Sequence, residues 1–161
     1  MQNEKSLSII IFNNLKELIS AKNAAHDSMF KFHWKKMWPF SLLWPQVDFI
    51  RIERFMGTLC EQCEDQIKFL NGNKNKAAKE EIPFLDSVPA YLEALSVTCQ
   101  KLAIVANYRQ ALLEKKEKKN AFKFNDMLKA YQEATASLTR AGAFVQVAWG
   151  DLKAKQSSKQ G

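Results

Sequence analysis

Two histidines, His26 and His33, stand two helical turns apart, and two acids, Glu61 and Asp65, stand one turn apart. Imidazole and carboxylate together are the donors that a redox-cycling iron site uses, several of them around open coordination positions. Two turns of helix amount to ~10.5 Å of rise, so the histidines need a third element between them to share one ion. Cys60 and Cys63 make a C-x-x-C pair with no second pair behind it. Structural zinc usually takes four protein ligands, so buried packing is the simpler role for these thiols. No glycine-framed serine marks a nucleophile, and the few glycines form no phosphate-cradling loop.

Lysine supplies the other chemistry. The net charge is +7, and the lysines group as Lys74, Lys76 and Lys79; Lys115, Lys116, Lys118, Lys119 and Lys123; and Lys153, Lys155 and Lys159. Mobile positive charge is enough to contact phosphate, in a sequence-independent and strongly salt-sensitive way. Solubility is the plainer use of the same residues. No helix-turn-helix or aromatic stacking platform points to base reading.

The elements that must position these residues are helical. At 161 residues, 47% hydrophobic and 25% charged, the composition is that of one ordinary globular domain. Leu7, Ile11, Leu15, Leu18, Ala25, Met29 and Phe32 recur at helical spacing and predict a first helix over about Lys5 to Lys35. Pro39 and Pro45 bracket an aromatic crossover containing Trp38, Phe40 and Trp44, and a second helix is expected to start near Pro45. Its buried face reads Phe49, Ile52, Met56, Leu59, Cys63, Ile67 and Leu70, with Asn71-Gly72 as the stop. On this wheel Glu61 and Asp65 lie opposite the apolar seam, and only Glu53 and Glu64 approach its edge.

Asn73 to Ser87 reads as a long polar link, able to run the length of a bundle and to hold a short helix at Ala77–Glu81. A third helix is expected from Asp86 or Ser87, with an apolar face from Leu92 through Leu95, Cys99, Leu102 and Ala106 to Leu113. Asn125 is the expected cap of a fourth helix. Its seam runs Leu128, Tyr131, Thr135, Leu138, Gly142, Val145, Trp149 and Leu152, and Gly142 marks a close helix approach. The expectation is an all-α four-helix bundle over residues 1–156 with one long crossover and a polar tail at 157–161. No run approaches the ~20 apolar residues of a membrane span, and the Leu7–Phe12 run lacks the cleavage site of a signal peptide. Three cysteines, an odd number, fit a reducing compartment, so the chain reads as cytoplasmic.

Phe32-His33-Trp34 at the end of the first helix, and Leu102-Ala103-Ile104-Val105-Ala106-Asn107 leading to Arg109, resemble the Dps family of ferritin-like mini-cages. That resemblance implies a ferritin-like crossover bundle and a homo-oligomeric shell. It also implies iron as cargo, ferroxidase-type Fe(II) oxidation at a site shared between subunits, and nonspecific DNA coating in some members. Carried over, it assigns His33, Glu61 and Asp65 to metal and the C-terminal Lys153, Lys155 and Lys159 to DNA. Glu61 and Asp65 match if one extra residue is allowed; otherwise the pair falls on Cys60 and Glu64. The family's middle His and acid fall on Gln46 and Ile50, or on Pro45 and Phe49, and are missing here. The competing expectation is a structural or interaction protein that docks a partner through its aromatic crossover.

Overall fold

The computed structural model describes residues 6–31 and 47–158. These form four helices: α1, Leu7–Phe30; α2, Phe49–Asn73; α3, Ile82–Leu113; and α4, Ala121–Ser157. Between α2 and α3 lie two short 3-10 turns, Lys74–Lys76 and Lys79–Glu81. Among the described residues there is no strand, as the 3.6-residue periodicity predicts.

The boundaries depart from expectation for local reasons. Helix α1 stops at Phe30: Lys31 turns extended while its amide still donates to the Asp27 carbonyl at 2.9 Å. Helix α2 starts at Phe49 rather than Pro45, because the Asp48 carboxylate caps it by accepting from the Arg51 amide at 2.9 Å. Asn71-Gly72 does not stop it; Gly72 keeps a negative φ and the chain tightens into the first 3-10 turn at Lys74. Helix α3 begins at Ile82, ahead of the expected Asp86 or Ser87, because Pro83 in the first turn lacks only an amide that would be orphaned anyway. Helix α4 is capped by Asn120, not Asn125: the Asn120 side chain accepts from the Lys123 amide at 3.0 Å. It also runs through Ser157, one residue into the expected tail, and carries Lys153 and Lys155 on its last turns.

Helix α3 ends on a double hydrogen bond. The Lys116 amide donates to the Ala111 carbonyl at 3.0 Å and the Lys115 amide to Leu112 at 3.2 Å, the paired arrangement that closes many helices. Lys115 has to adopt a φ of 57° to make it, a conformation in which glycine is the usual occupant.

Contacting pairs fix the directions. Between α2 and α3 these are Glu53 with Asn107, Cys60 with Ser96, and Lys74 with Asp86. Between α3 and α4 they are Phe84 with Trp149, Tyr91 with Gly142, and Tyr108 with Phe124. Phe12 with Trp149 and His26 with Tyr131 join α1 to α4. Numbers rise on one helix as they fall on its neighbour in each case, so the order is up, down, up, down. The expected lengthwise link over Asn73–Ser87 is therefore replaced by a short turn over residues 74–81 at one end of the bundle.

Helix α3 is the axis. Phe84, Leu85, Val88, Leu92, Leu95, Cys99, Leu102, Val105 and Ala106 are all fully buried, against Met56, Leu59, Cys63 and Leu70 of α2. Leu113, expected on the same face, is exposed because the helix has passed the end of the core. The close approach foreseen at Gly142 is there: a Cβ at that position would lie 3.3 Å from the Tyr91 ring. Helix α1 adds Ile11, Leu15, Leu18 and Ala25 to the core, but it also buries Ser8 and Lys22. That polar content is where its attachment differs from the rest.

Candidate functional site

Glu61 and Asp65 project from the solvent face of α2, as the helical wheel predicts, and Asp65 pairs with Lys68 at 3.3 Å. His33, the aromatic crossover and Lys159 lie outside the described residues. Among the described residues no cluster of three or more His, Cys, Asp or Glu side chains could hold a metal ion. Glu53, at the seam's edge, accepts instead from the Asn107 side chain at 3.0 Å.

The thiols are packing groups. Cys63 and Cys99 are fully buried, Cys60 is half-buried, and all three are free. Burial, with the neighbouring thiols adding to it, pushes the Cys63 and Cys99 thiols up to about 12. Such groups are not nucleophiles near neutral pH. The Cys60 thiol donates toward the Ser96 carbonyl at 3.5 Å and so belongs to the α2–α3 seam.

Part of the lysine charge is already answered within the chain. Lys74 pairs with Asp86, Lys116 with Glu114 and Lys123 with Glu117. Lys153 rests 4.9 Å over the Trp149 ring. Lys155 is exposed beside a groove of about 480 Å³ between the start of α3 and the last third of α4. Pro83 and Ser87 form one wall of that groove, and Ala143, Phe144, Val147, Ala148 and Asp151 form the other. Phe144 and Val147 are 72% and 64% exposed. Within the described residues no helix is long and apolar enough to cross a membrane.

Among the described residues the two buried charged side chains, Glu81 and Lys22, both lie at α1. At its first turn, Glu81 is only 6% exposed. Its Oε1 accepts from the Ser6 hydroxyl, from the Ser8 hydroxyl at 2.6 Å and from the Ser8 amide at 3.2 Å. Its Oε2 accepts from the Ala78 amide at 2.9 Å. One carboxylate thus caps α1 and the 3-10 turn that leads into α3. Burial alone would raise its pKa, but the donors from Ser6, Ser8 and Ala78 together hold it below the ordinary carboxylate value.

One turn on, Phe12 stacks on Trp149 at 4.1 Å and 7°, with Phe84 at 6.4 Å from Phe12. At the far end, His26 Nδ1 lies 2.8 Å from the Tyr131 hydroxyl, and Phe30 packs on both rings. Burial first, and then the nearby Lys22 ammonium, lower the His26 pKa. Lys22 is itself 5% exposed, and burial lowers its pKa against the opposing influence of Cys99 and Asp27.

These anchors are spread along α1 rather than gathered round one cavity. Ser8 and Lys22 stand about four turns apart, roughly 21 Å of rise, so Glu81 and the His26–Tyr131 pair act on different stretches of backbone. The arrangement is a row of clamps. Sequence reasoning missed it because Glu81 and Ser8 are distant in the chain, and because Ala78, lacking a hydroxyl, hides the Ser/Thr-x-x-Glu pattern of a helix start. Tyr131 was legible only as a seam residue.

The chain matches no protein-family model, no curated protein and no solved structure.

The clamps have one sign of pH dependence. Glu81, His26 and Lys22 all have folded pKa values below their ordinary ones, so the unfolded chain binds more protons and stability rises with pH. The Glu81 contribution is complete above the ordinary carboxylate range and is lost as pH falls through its depressed folded value. Glu81→Gln is expected to cost about 1.5–3 kcal/mol at pH 7, the scale of hydrogen bonds to a charged group. The gap to wild type should then close in acid. Urea unfolding of both proteins from pH 7 down to pH 3 measures this; a gap independent of pH would show that the charge is not what anchors the helix.

Proposed function

We propose that this chain is a helical-bundle interaction protein that docks a partner through the outer apolar face of α4. One observation carries the reading: Phe144 and Val147 stand side by side on that face at 72% and 64% exposure, beside an open groove. Large apolar groups clustered on a surface are the usual mark of a binding site, whereas scattered single ones are not. The aromatic crossover expected to dock a partner lies outside the described residues, and the α4 face carries the proposal by itself.

A photo-crosslinking amino acid placed at Phe144 in cells tests it. Capture of a protein from position 144, and not from the exposed control position Thr139, is the expected result. Equal capture from both, or none from either, would remove the docking role.

A second reading, a Dps-like shell with iron and nonspecific DNA as ligands, rests on Glu61 and Asp65. They project together from α2, where a neighbouring subunit carrying His33 would complete a ligand set. The up-down-up-down order of the helices differs from the crossover bundle that this reading implies. It expects Fe(II) binding under anaerobic titration that disappears in both His33→Ala and Glu61→Ala. Binding indifferent to both substitutions would end it.

A further inference from the structure

Helix α4 carries an exposed stripe in alternating steps of three and four through Ser137, Arg140, Phe144, Val147, Asp151 and Ala154. That spacing is the seam of a two-helix coiled coil. Its inner counterpart, Tyr131, Leu138, Val145 and Leu152, is already used against the bundle core. Among the described residues no helix lies on the outer stripe.

Its order is self-complementary. Lay a second α4 antiparallel, with a twofold axis between Phe144 and Val147, and each residue meets a defined partner. Phe144 meets Val147, Arg140 meets Asp151, and Ser137 meets Ala154, each twice by symmetry. Antiparallel alignment is required for this, because a parallel copy sets Arg140 on Arg140 and Asp151 on Asp151. The charges are available: among the described residues Arg140 touches the Ser137 hydroxyl, at 3.5 Å, and exposed Asp151 has no ion pair. Beside the stripe, Ala143 and Gly150 are exposed and small, and a Cβ built on Gly150 meets nothing within 4 Å. A second helix backbone can therefore come close. The groove bounded by Pro83 and Ser87 lies under the same path and offers room for the incoming apolar side chains.

We infer that the occupant of this face is a second copy of the same chain, paired α4 to α4 antiparallel about Phe144 and Val147. The inference rests on the docking role proposed above and names its partner. An isologous twofold contact of this kind closes on itself and does not propagate into a fibre. The ion pairs lie at the rim of the apolar centre, so they set register and orientation more than strength.

The test is a charge exchange on exposed positions, read by light scattering of the full chain at tens of micromolar. Wild type is expected at twice the 18.5 kDa chain mass. Arg140→Asp alone puts acid against acid, and Asp151→Arg alone puts base against base, so each should run as a monomer. Mixing the two variants restores both pairs and should restore the doubled mass. Wild type running as a monomer would overturn the self-pairing. If position 144 still captured a different protein in cells, the docking role would stand while the self-pairing fell. Single variants that stay dimeric, or a mixture that fails to associate, would overturn the antiparallel register.

Discussion

The start of α1 depends on a carboxylate that belongs to another part of the chain. The first amides of any helix have no partner within it, and α1 starts with Ser6 and Leu7, whose own side chains cap nothing. Glu81 reaches across to fill that need, accepting from the amide and hydroxyl of Ser8 and from the Ser6 hydroxyl. The same group satisfies the Ala78 amide and so fixes the 3-10 turn that launches α3. Without its donors the group would be a buried charge with no partner, an arrangement proteins avoid. The donors are therefore a condition for burying the carboxylate at all, and the carboxylate is a condition for placing α1.

The rest of α1's attachment follows the same rule of local satisfaction. Phe12 and Trp149 stack, a geometry worth about 0.5–1.5 kcal/mol beyond the area buried. Farther along, the imidazole of His26 and the hydroxyl of Tyr131 satisfy each other. Lys22, buried beside them, contributes a long aliphatic stem to packing while burial weakens its hold on a proton. Helices α2, α3 and α4 are joined differently, by a continuous apolar seam along α3. The molecule thus combines a hydrophobic three-helix body with a fourth helix that adds Ile11, Leu15, Leu18 and Ala25 to the same core and is also fixed by specific polar and aromatic contacts. Its outward face on α4 leaves Phe144 and Val147 exposed.

Periodicity made much of this legible. The seam of α4 from Tyr131 to Leu152 and that of α2 from Ile52 to Leu70 could be read as helical faces because burial repeats every three to four residues. Gly142 could be read as a close approach because a missing Cβ on a seam has few other uses. Helix ends were less legible, because Asp48 and Asn120 compete with other plausible caps and single hydrogen bonds decide among them. Glu81 and the His26–Tyr131 pair were invisible because their partners are set by tertiary packing. The outward position of Glu61 and Asp65 was readable from the wheel, and the direction of the α2–α3 link was not, since a polar stretch such as Asn73–Ser87 can fold as a crossover or as the start of a helix.

That Glu81 specifically holds α1 to a body formed by the other three helices can be measured by amide hydrogen exchange on the intact chain, wild type against Glu81→Gln at pH 7. The account predicts that α1 amides lose protection by about tenfold or more, the effect of roughly 1.4 kcal/mol on a local opening. Amides at the centre of α3 should keep theirs. Equal loss of protection in α1 and α3, or no loss in α1, would contradict it.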